Sequence, residues 1–278
     1  MTPDELNALP RPLAFVLPGG GALGSYQVGV LHALTDAGVA PDVLIGVSAG
    51  AVNASLFAWH QGVDGIRRLE GIWRGIRRRD LMRLQPGRMA LAMAGRHPSF
   101  LDNRHGVEFL RRQLGGRLLE HSPVQLILVA TDLSTGEAVA LTHGDTVTAV
   151  IASTAFPGVY PPVHIQGRTL IDGGVVADIP LDLAVEHGVA SALVLSVPPL
   201  SADEPPTNAL EILFRSSSLG VEAHGRTVLR RPPPGLHVAE IPAVPSSLMT
   251  FDVGKTIEMI DEGYAVAQRW LRGEPTES

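Results

Sequence analysis

Ser48 is the residue in this 278-residue chain whose setting points most directly to covalent chemistry. It lies in Gly46-Val47-Ser48-Ala49-Gly50, the G-x-S-x-G pattern of a nucleophile elbow, in which a Ser occupies a tight turn between a strand and a helix. Glycines suit the flanks of such a turn, because backbone meets backbone there and a Cβ would clash or oppose the strained dihedrals. Asp42-Val43-Leu44-Ile45 reads as the buried strand before the turn, and the Ala-rich run from Ala49 to Trp59 as the helix after it. A hydroxyl held there faces the positive end of a helix dipole, which stabilises an oxyanion. A Ser hydroxyl is a weak nucleophile near neutral pH and needs a base in contact.

The chain has ten His and no Cys, which excludes disulfides, thiolate metal sites and a Cys nucleophile. On α/β-hydrolase sheets the usual order is Ser, acid, His. Downstream of Asp172 that leaves His187, His224 and His237. His187 reads as a helix end, His224 falls in a polar helical stretch, and His237 belongs to a short strand expected outside the main sheet. None has a Gly-rich or loop setting. Asp172 is better placed, because it ends the apolar strand Thr169-Leu170-Ile171 and is followed by Gly173-Gly174, which admit another chain closely. A carboxylate can act as the base directly if its site is dry and pre-aligned. On its own, Asp172-Gly173-Gly174 reads first as an ordinary turn.

A third stretch, Gly19-Gly20-Gly21-Ala22-Leu23-Gly24, follows the strand Leu13–Leu17 and precedes a helix from Ser25 to Ala37. It also fits G-x-G-x-x-G, but a dinucleotide site wants an acid at the carboxyl end of the second strand. Asp42 stands before that strand, and its far end delivers Ser48 instead. Gly254-Lys255-Thr256 has the tail of a P-loop, yet Met249 occupies the leading Gly position. The remaining use of a bare glycine turn is an oxyanion hole, worth about 3–4 kcal/mol per donor in a transition state. Neighbouring parallel strands end on one edge of a sheet, which can bring this turn beside Ser48.

Two strand-turn-helix units in succession imply a parallel sheet with helices on its faces. Strands are expected at Val124 to Ala130, Ala138 to Leu141 and Leu193 to Val197, the last of them closing the core. Helices are expected over Asp145 to Ser153, Gly62 to Arg79, Leu210 to Leu229 and Asp252 to Leu271. With no internal repeat or long linker, residues 1–278 read as one domain with a core over 13–197, a helical cap-like excursion over about 64–114 and a helical extension over 205–272. A formal charge of −6 argues against general nucleic-acid binding. Val43 to Val63 lacks charge and is about as long as a bilayer requires, but the elbow, Asn53, His60 and Gln61 break it. Met1 to Arg11 carries Asp4 and Glu5 and no apolar core, so a cytoplasmic chain is the expectation. Between Arg67 and Arg104, ten Arg face three acids, with Met82, Leu84, Met89, Leu91 and Met93 interleaved. This pattern reads as a packed excursion with a solvated basic face; the alternative is a cationic cap that touches a membrane surface or covers an acyl chain.

Taken together and in order, Gly19 to Gly24, Gly46 to Gly50 and Asp172 to Gly174 resemble the patatin-like phospholipase family. The resemblance implies a three-layer α/β/α fold with a mostly parallel central sheet, and a Ser48-Asp172 dyad of nucleophile and base in place of a triad. It also implies that the amides of Gly20, Gly21 and Ala22, with Ala49, hold the oxyanion. The expected activity is hydrolysis of lipid acyl esters, of the phospholipase A or lysophospholipase type, without metal or cofactor. Leu23 stands where many members have Arg or Lys, and Pro18 where an acid often stands, which weakens expectations about the head group. A carboxylesterase or thioesterase for soluble acyl substrates, and a non-catalytic lipid-binding module, are the competing readings.

Overall fold

The computed structural model describes residues 1–77, 85–199, 209–244 and 253–276. Eight strands form one sheet: β1 (Leu13–Leu17), β2 (Val43–Val47), β3 (Gln125–Asp132), β4 (Ala138–Leu141), β5 (Val163–Ile165), β6 (Arg168–Asp172), β7 (Ser191–Leu195) and β8 (His237–Ile241). The helices are α1 (Pro3–Asn7), α2 (Ser25–Asp36), α3 (Ala49–Trp59), α4 (Gly62–Gly75), α5 (Pro86–Met93), α6 (Arg104–Leu114), α7 (Thr146–Ser153), α8 (Leu181–Glu186), α9 (Ala209–Arg230) and α10 (Thr256–Leu271).

Strands β3, β2, β1, β7 and β8 run parallel in that lateral order. Every residue of β1, β2 and β7 is buried, as strands covered on both faces must be. The period-2 alternation of β1 divides its side chains between two cores. Leu13, Phe15 and Leu17 pack with residues of α2, α3, α4 and α10, whereas Ala14 and Val16 pack with Leu181, Ala184 and Val228 of α8 and α9. The result is a three-layer α/β/α arrangement.

The register of β3 does something that strand order alone conceals. β2 pairs in parallel along Gln125 to Val129, and β6 pairs antiparallel along Ala130 to Asp132. Val129 pairs with both Val47 and Ala140, and Ala130 with both Val139 and Asp172. A strand residue has two edges, so β4 occupies one edge of β3 while β2 and β6 share the other. The carboxyl ends of β2 and β6 therefore meet head to head against β3.

Three expectations need correction. His237–Ile241 is not outside the sheet; it pairs in parallel with β7 from Ser191 to Leu195. The sheet thus runs past residue 197, and α10 adds Met259, Ile260 and Val266 to the same core as α2. Tyr264 of α10 also donates to Asp36 Oδ2 at 2.8 Å. The last helix begins at Thr256, and α4 ends at Gly75. Of the Arg- and Met-rich stretch, Arg78, Arg79, Asp80, Met82, Arg83 and Leu84 lie outside the described residues, as do residues 200–206 of the loop expected after Pro198. No helix among the described residues is long and apolar enough to cross a membrane.

Candidate active site

Ser48 joins β2 to α3 with φ 53° and ψ −120°, a left-handed conformation that a non-glycine residue holds only at a cost of about 1–3 kcal/mol. The turn is held from several sides. A Cβ on Gly50 would lie 1.9 Å from the Leu17 carbonyl oxygen, so only glycine lets α3 start against the end of β1. The Ser48 N–H donates to Ser153 Oγ at 2.9 Å, and Ser153 Oγ–H donates to the Val129 carbonyl at 2.6 Å. Ser153, the last residue of α7, thus braces the elbow against β3 where β2 and β6 meet. Sequence reading passed over it as a helix terminus.

Directly across that junction stands Asp172. Ser48 Oγ–H donates to Asp172 Oδ2 at 2.7 Å, although the two residues are 124 positions apart. The other carboxylate oxygen, Oδ1, accepts the Gly174 N–H at 2.9 Å. Thr131 Oγ1 donates to the Asp172 carbonyl at 2.9 Å and fixes the backbone. A Cβ on Gly173 would fall 2.3 Å from the Val129 carbonyl oxygen, which explains the glycine next to the acid. Asp172 is 3% exposed. Burial, helped by the nearby Asp178, pushes its carboxyl up to about 7 against the downward pull of the Ser48 and Gly174 hydrogen bonds. A carboxyl poised near neutral pH and touching a hydroxyl can take that proton in a reaction.

The glycine-rich turn completes the constellation. Gly21–Gly24 form a 3-10 turn that runs straight into α2. Leading N–H groups of a helix have no partner within it, so the amides of Gly21 and Ala22 open this 3-10 turn, with Gly20 at its cap. Ala49 opens α3 in the same way. Gly20, Gly21, Ala22, Ser48, Ala49 and Asp172 all line one cavity, so the starts of the 3-10 turn and of α3 share it with the hydroxyl. Gly24 packs against Ala49 and binds these helices together. Asn53 Nδ2 donates to the Gly24 carbonyl at 2.8 Å and to Gln27 Oε1 at 2.9 Å, and Trp73 Nε1–H donates to Asn53 Oδ1 at 2.8 Å. This satisfied buried network fixes α2, α3 and α4 relative to one another. Gly19, before the turn, donates its N–H to Asp178 Oδ1 at 2.7 Å. Desolvation also raises the Asp178 carboxyl, to about 6, against the pull of that hydrogen bond.

The cavity measures about 880 Å³ and is walled mainly by apolar side chains, among them Leu23, Trp73, Phe109, Ile151, Phe156 and Val197. Trp73 and Phe109 come from the stretch expected to form a cap-like excursion, which therefore supplies one wall. In the same stretch, α5 buries none of its residues, and Leu91 and Met93 are exposed. Apart from Asp172 and Asp178, the charged groups lining the cavity among the described residues are Glu222, Arg226 and Glu240. Arg226 Nη1 donates to Glu222 Oε1 at 2.6 Å, and Ser196 Oγ–H donates to Glu240 Oε1 at 2.6 Å. Leu23 is buried at 3% exposure on the cavity wall.

No described histidine lines this space. His187 precedes β7 and sits 2.8 Å by Nδ1 from the Leu183 carbonyl, while His237 begins β8. Both stand at the amino ends of the parallel strands, the edge opposite Ser48. His224 is exposed on α9. Asp42, weighed above as a ribose acceptor, accepts the Leu13 N–H at 2.7 Å and Arg11 Nη1 at 2.9 Å, a structural tie between strand ends. Among the described residues, no group of three or more His, Asp or Glu side chains converges as metal ligands would.

Residues 15–185 match the sequence profile of the family described as patatin-like phospholipase. The chain is 32% identical over 194 residues to an uncharacterised NTE family protein of Mycobacterium tuberculosis, a match spanning 69% of this chain and 49% of that protein. It is 27% identical over 197 residues to patatin-like phospholipase domain-containing protein 7 of Mus musculus, spanning 66% of this chain and 13% of that protein. The chain thus spans half or less of the length of these curated relatives. Among solved structures, VipD from Legionella pneumophila aligns over 95% of this chain and 67% of its own, with a TM-score of 0.53 at 16% identity, a likeness of fold.

Proposed function

Because the chain belongs to the patatin-like phospholipase family, we propose that it is a serine acyl hydrolase that cleaves lipid esters, with Ser48 as nucleophile and Asp172 as its general base. The observation that carries this reading is the 2.7 Å hydrogen bond from Ser48 Oγ to a buried carboxylate, in a cavity shared with the starts of the 3-10 turn and of α3. In the first half-reaction Asp172 takes the Ser48 proton as Oγ forms a bond to the ester carbonyl carbon. The carbonyl oxygen becomes an oxyanion, and in this reading the amides of Gly20, Gly21, Ala22 and Ala49 are its donors. Collapse breaks the bond to the leaving alkoxide, which regains the proton from Asp172 and departs as an alcohol, leaving an acyl-Ser48 ester. Water then repeats the sequence: Asp172 takes its proton, and the acid leaves as Ser48 is reprotonated. The acyl chain lies along the apolar wall of the cavity, whose size is at the upper end of small-molecule sites.

Fluorophosphonate labelling and phospholipid hydrolysis by the purified protein test this directly. Labelling is expected at Ser48, absent in Ser48→Ala and strongly reduced in Asp172→Asn. Wild-type turnover by either variant overturns the mechanism. Leu23 on the cavity wall favours a second reading, hydrolysis of soluble acyl esters or thioesters, because no cation stands there for a phosphate. Rates on dispersed short esters compared with liposomes separate the two. Peripheral contact with a membrane surface belongs to the lipid reading and is tested by the same liposomes in a sedimentation assay.

A further inference from the structure

Asp178 lines the same cavity as Ser48 and Asp172, and the proposed chemistry leaves its carboxylate without a task. It follows Asp172 by six residues, on the segment between the 3-10 turn Gly173–Val175 and α8. Its Oδ1 accepts the Gly19 N–H at 2.7 Å, a contact across 159 positions of sequence. A Cβ on Gly19 would lie 2.9 Å from Asp178 Oδ1 and 3.1 Å from Ser48 Cβ, so this hydrogen bond is made immediately behind the reactive hydroxyl. A Cβ on Gly174 would lie 3.3 Å from Asp172 Oδ1 and 3.4 Å from Asp178 Oδ1, so one methyl's worth of space separates the two carboxylates. The residue as a whole is partly exposed toward the cavity, yet its carboxyl is desolvated.

We infer that Asp178 is a positioning residue: it clamps the glycine-rich turn to the segment that carries the base, and it sets a second negative charge beside Asp172. The inference rests on the acyl-hydrolase reading for its kinetic consequences, but not for its structural one. Glycines hold no conformation by themselves, and Gly19-Gly20-Gly21 is a run of three. Amides serve as an oxyanion hole only when they are held in place before the reaction. A charge-assisted acceptor at the first glycine supplies that restraint from one side, and the helix that starts at Gly21 supplies it from the other. The like charge disfavours a second ionisation nearby. Other charged groups lining the cavity are Glu222, Arg226 and Glu240, of which Arg226 is already paired to Glu222.

Asp178→Ala and Asp178→Asn divide the two effects, since Asn keeps the acceptor and removes the charge. In the Ala variant kcat is expected to fall by about 10- to 100-fold, below the full loss of an oxyanion donor, with KM changed less than about twofold as ground-state binding is untouched. The Asn variant is expected to recover most of that loss and to move the acid limb of the pH profile to lower pH. Thermal melts establish that both variants are folded. Amide hydrogen exchange over Gly19 to Leu23 supplies a readout independent of turnover: faster in the Ala variant, near wild type in the Asn variant. Equal exchange and equal kinetics in all three proteins overturn the inference, as does an Asn variant as impaired as Ala. If the wild-type protein hydrolyses no ester, the acyl-hydrolase reading falls, and exchange alone still decides whether Asp178 holds the turn.

Discussion

Burying the base should cost this protein stability, and the cost should depend on pH in a way that Asp172→Asn removes. The Asp172 carboxyl rises from an ordinary value of 3.8 to about 7 in the fold. Between those values the folded state holds a proton that the unfolded state has released. The group's favourable contribution is therefore complete below about pH 4 and is lost as pH climbs through 7. Three units at 1.36 kcal/mol each amount to about 4 kcal/mol by pH 8. An Asn side chain has the same shape and does not titrate. Its oxygen can accept the Gly174 N–H and its amide can donate to Ser48 Oγ, so both present contacts have replacements. The two proteins should match near pH 4, and between pH 5 and pH 8 the variant should gain about 2.7 kcal/mol on the wild type (two units at 1.36 kcal/mol), or about 8 °C in Tm at the 2–4 °C per kcal/mol expected of a domain this size. Asp178 titrates in both proteins and largely cancels in the difference. Thermal melts of the two proteins from pH 5 to 9 measure it. A difference that stays flat across that range, or a variant weaker at pH 8 than at pH 5 relative to wild type, refutes the idea that an ionised buried Asp172 is maintained against its surroundings. The same variant should lose hydrolysis, so the site would be stabilised by the change that disables it.

Hydrolysis by the wild type should rise with pH through an acid limb near 7, since Asp172 must be ionised to take the Ser48 proton; a rate profile that is flat from pH 5 to 8 contradicts this. Ser153→Ala should cost about 1–3 kcal/mol in denaturant titration and slow fluorophosphonate labelling, because the Ser48 N–H and the Val129 carbonyl lose their shared partner. Gly173→Ala should destabilise by about 3 kcal/mol or more, as its methyl would meet the Val129 carbonyl at 2.3 Å; a soluble variant with wild-type Tm would show that the β3–β6 junction is looser than described. The combined variant His187→Ala, His224→Ala, His237→Ala should retain activity within about twofold, whereas collapse of hydrolysis would restore a Ser-His-Asp scheme in which one of these residues moves to Ser48.

Much of the chemistry was written in short stretches of the chain. Gly46 to Gly50 specifies a tight turn locally, because a Cβ at Gly46 would lie 2.7 Å from the Gly50 carbonyl oxygen and 2.6 Å from Ala51 Cα. Alternating and continuous apolar runs located the strands, and the order of Gly19–Gly24, Gly46–Gly50 and Asp172–Gly174 named the family. What no window of sequence contains is the register of β3. Ser48 and Asp172 meet only because β2 stops at Val129 and β6 stops at Ala130 on the same edge of that strand, and pairing across such separations is a property of the assembled sheet. The same holds for residues whose task is to hold others. Ser153 looked like the end of a helix and Asp178 drew no expectation, since their partners, the Ser48 and Gly19 amides, are distant in sequence. β8 was expected as a strand but placed outside the sheet for a different reason: it lies at the sheet's edge, where His237 and Glu240 stay exposed and the apolar pattern that marks a buried strand is diluted. Residue types thus determined which groups were available for reaction; only packing around β3 decided which of them touch.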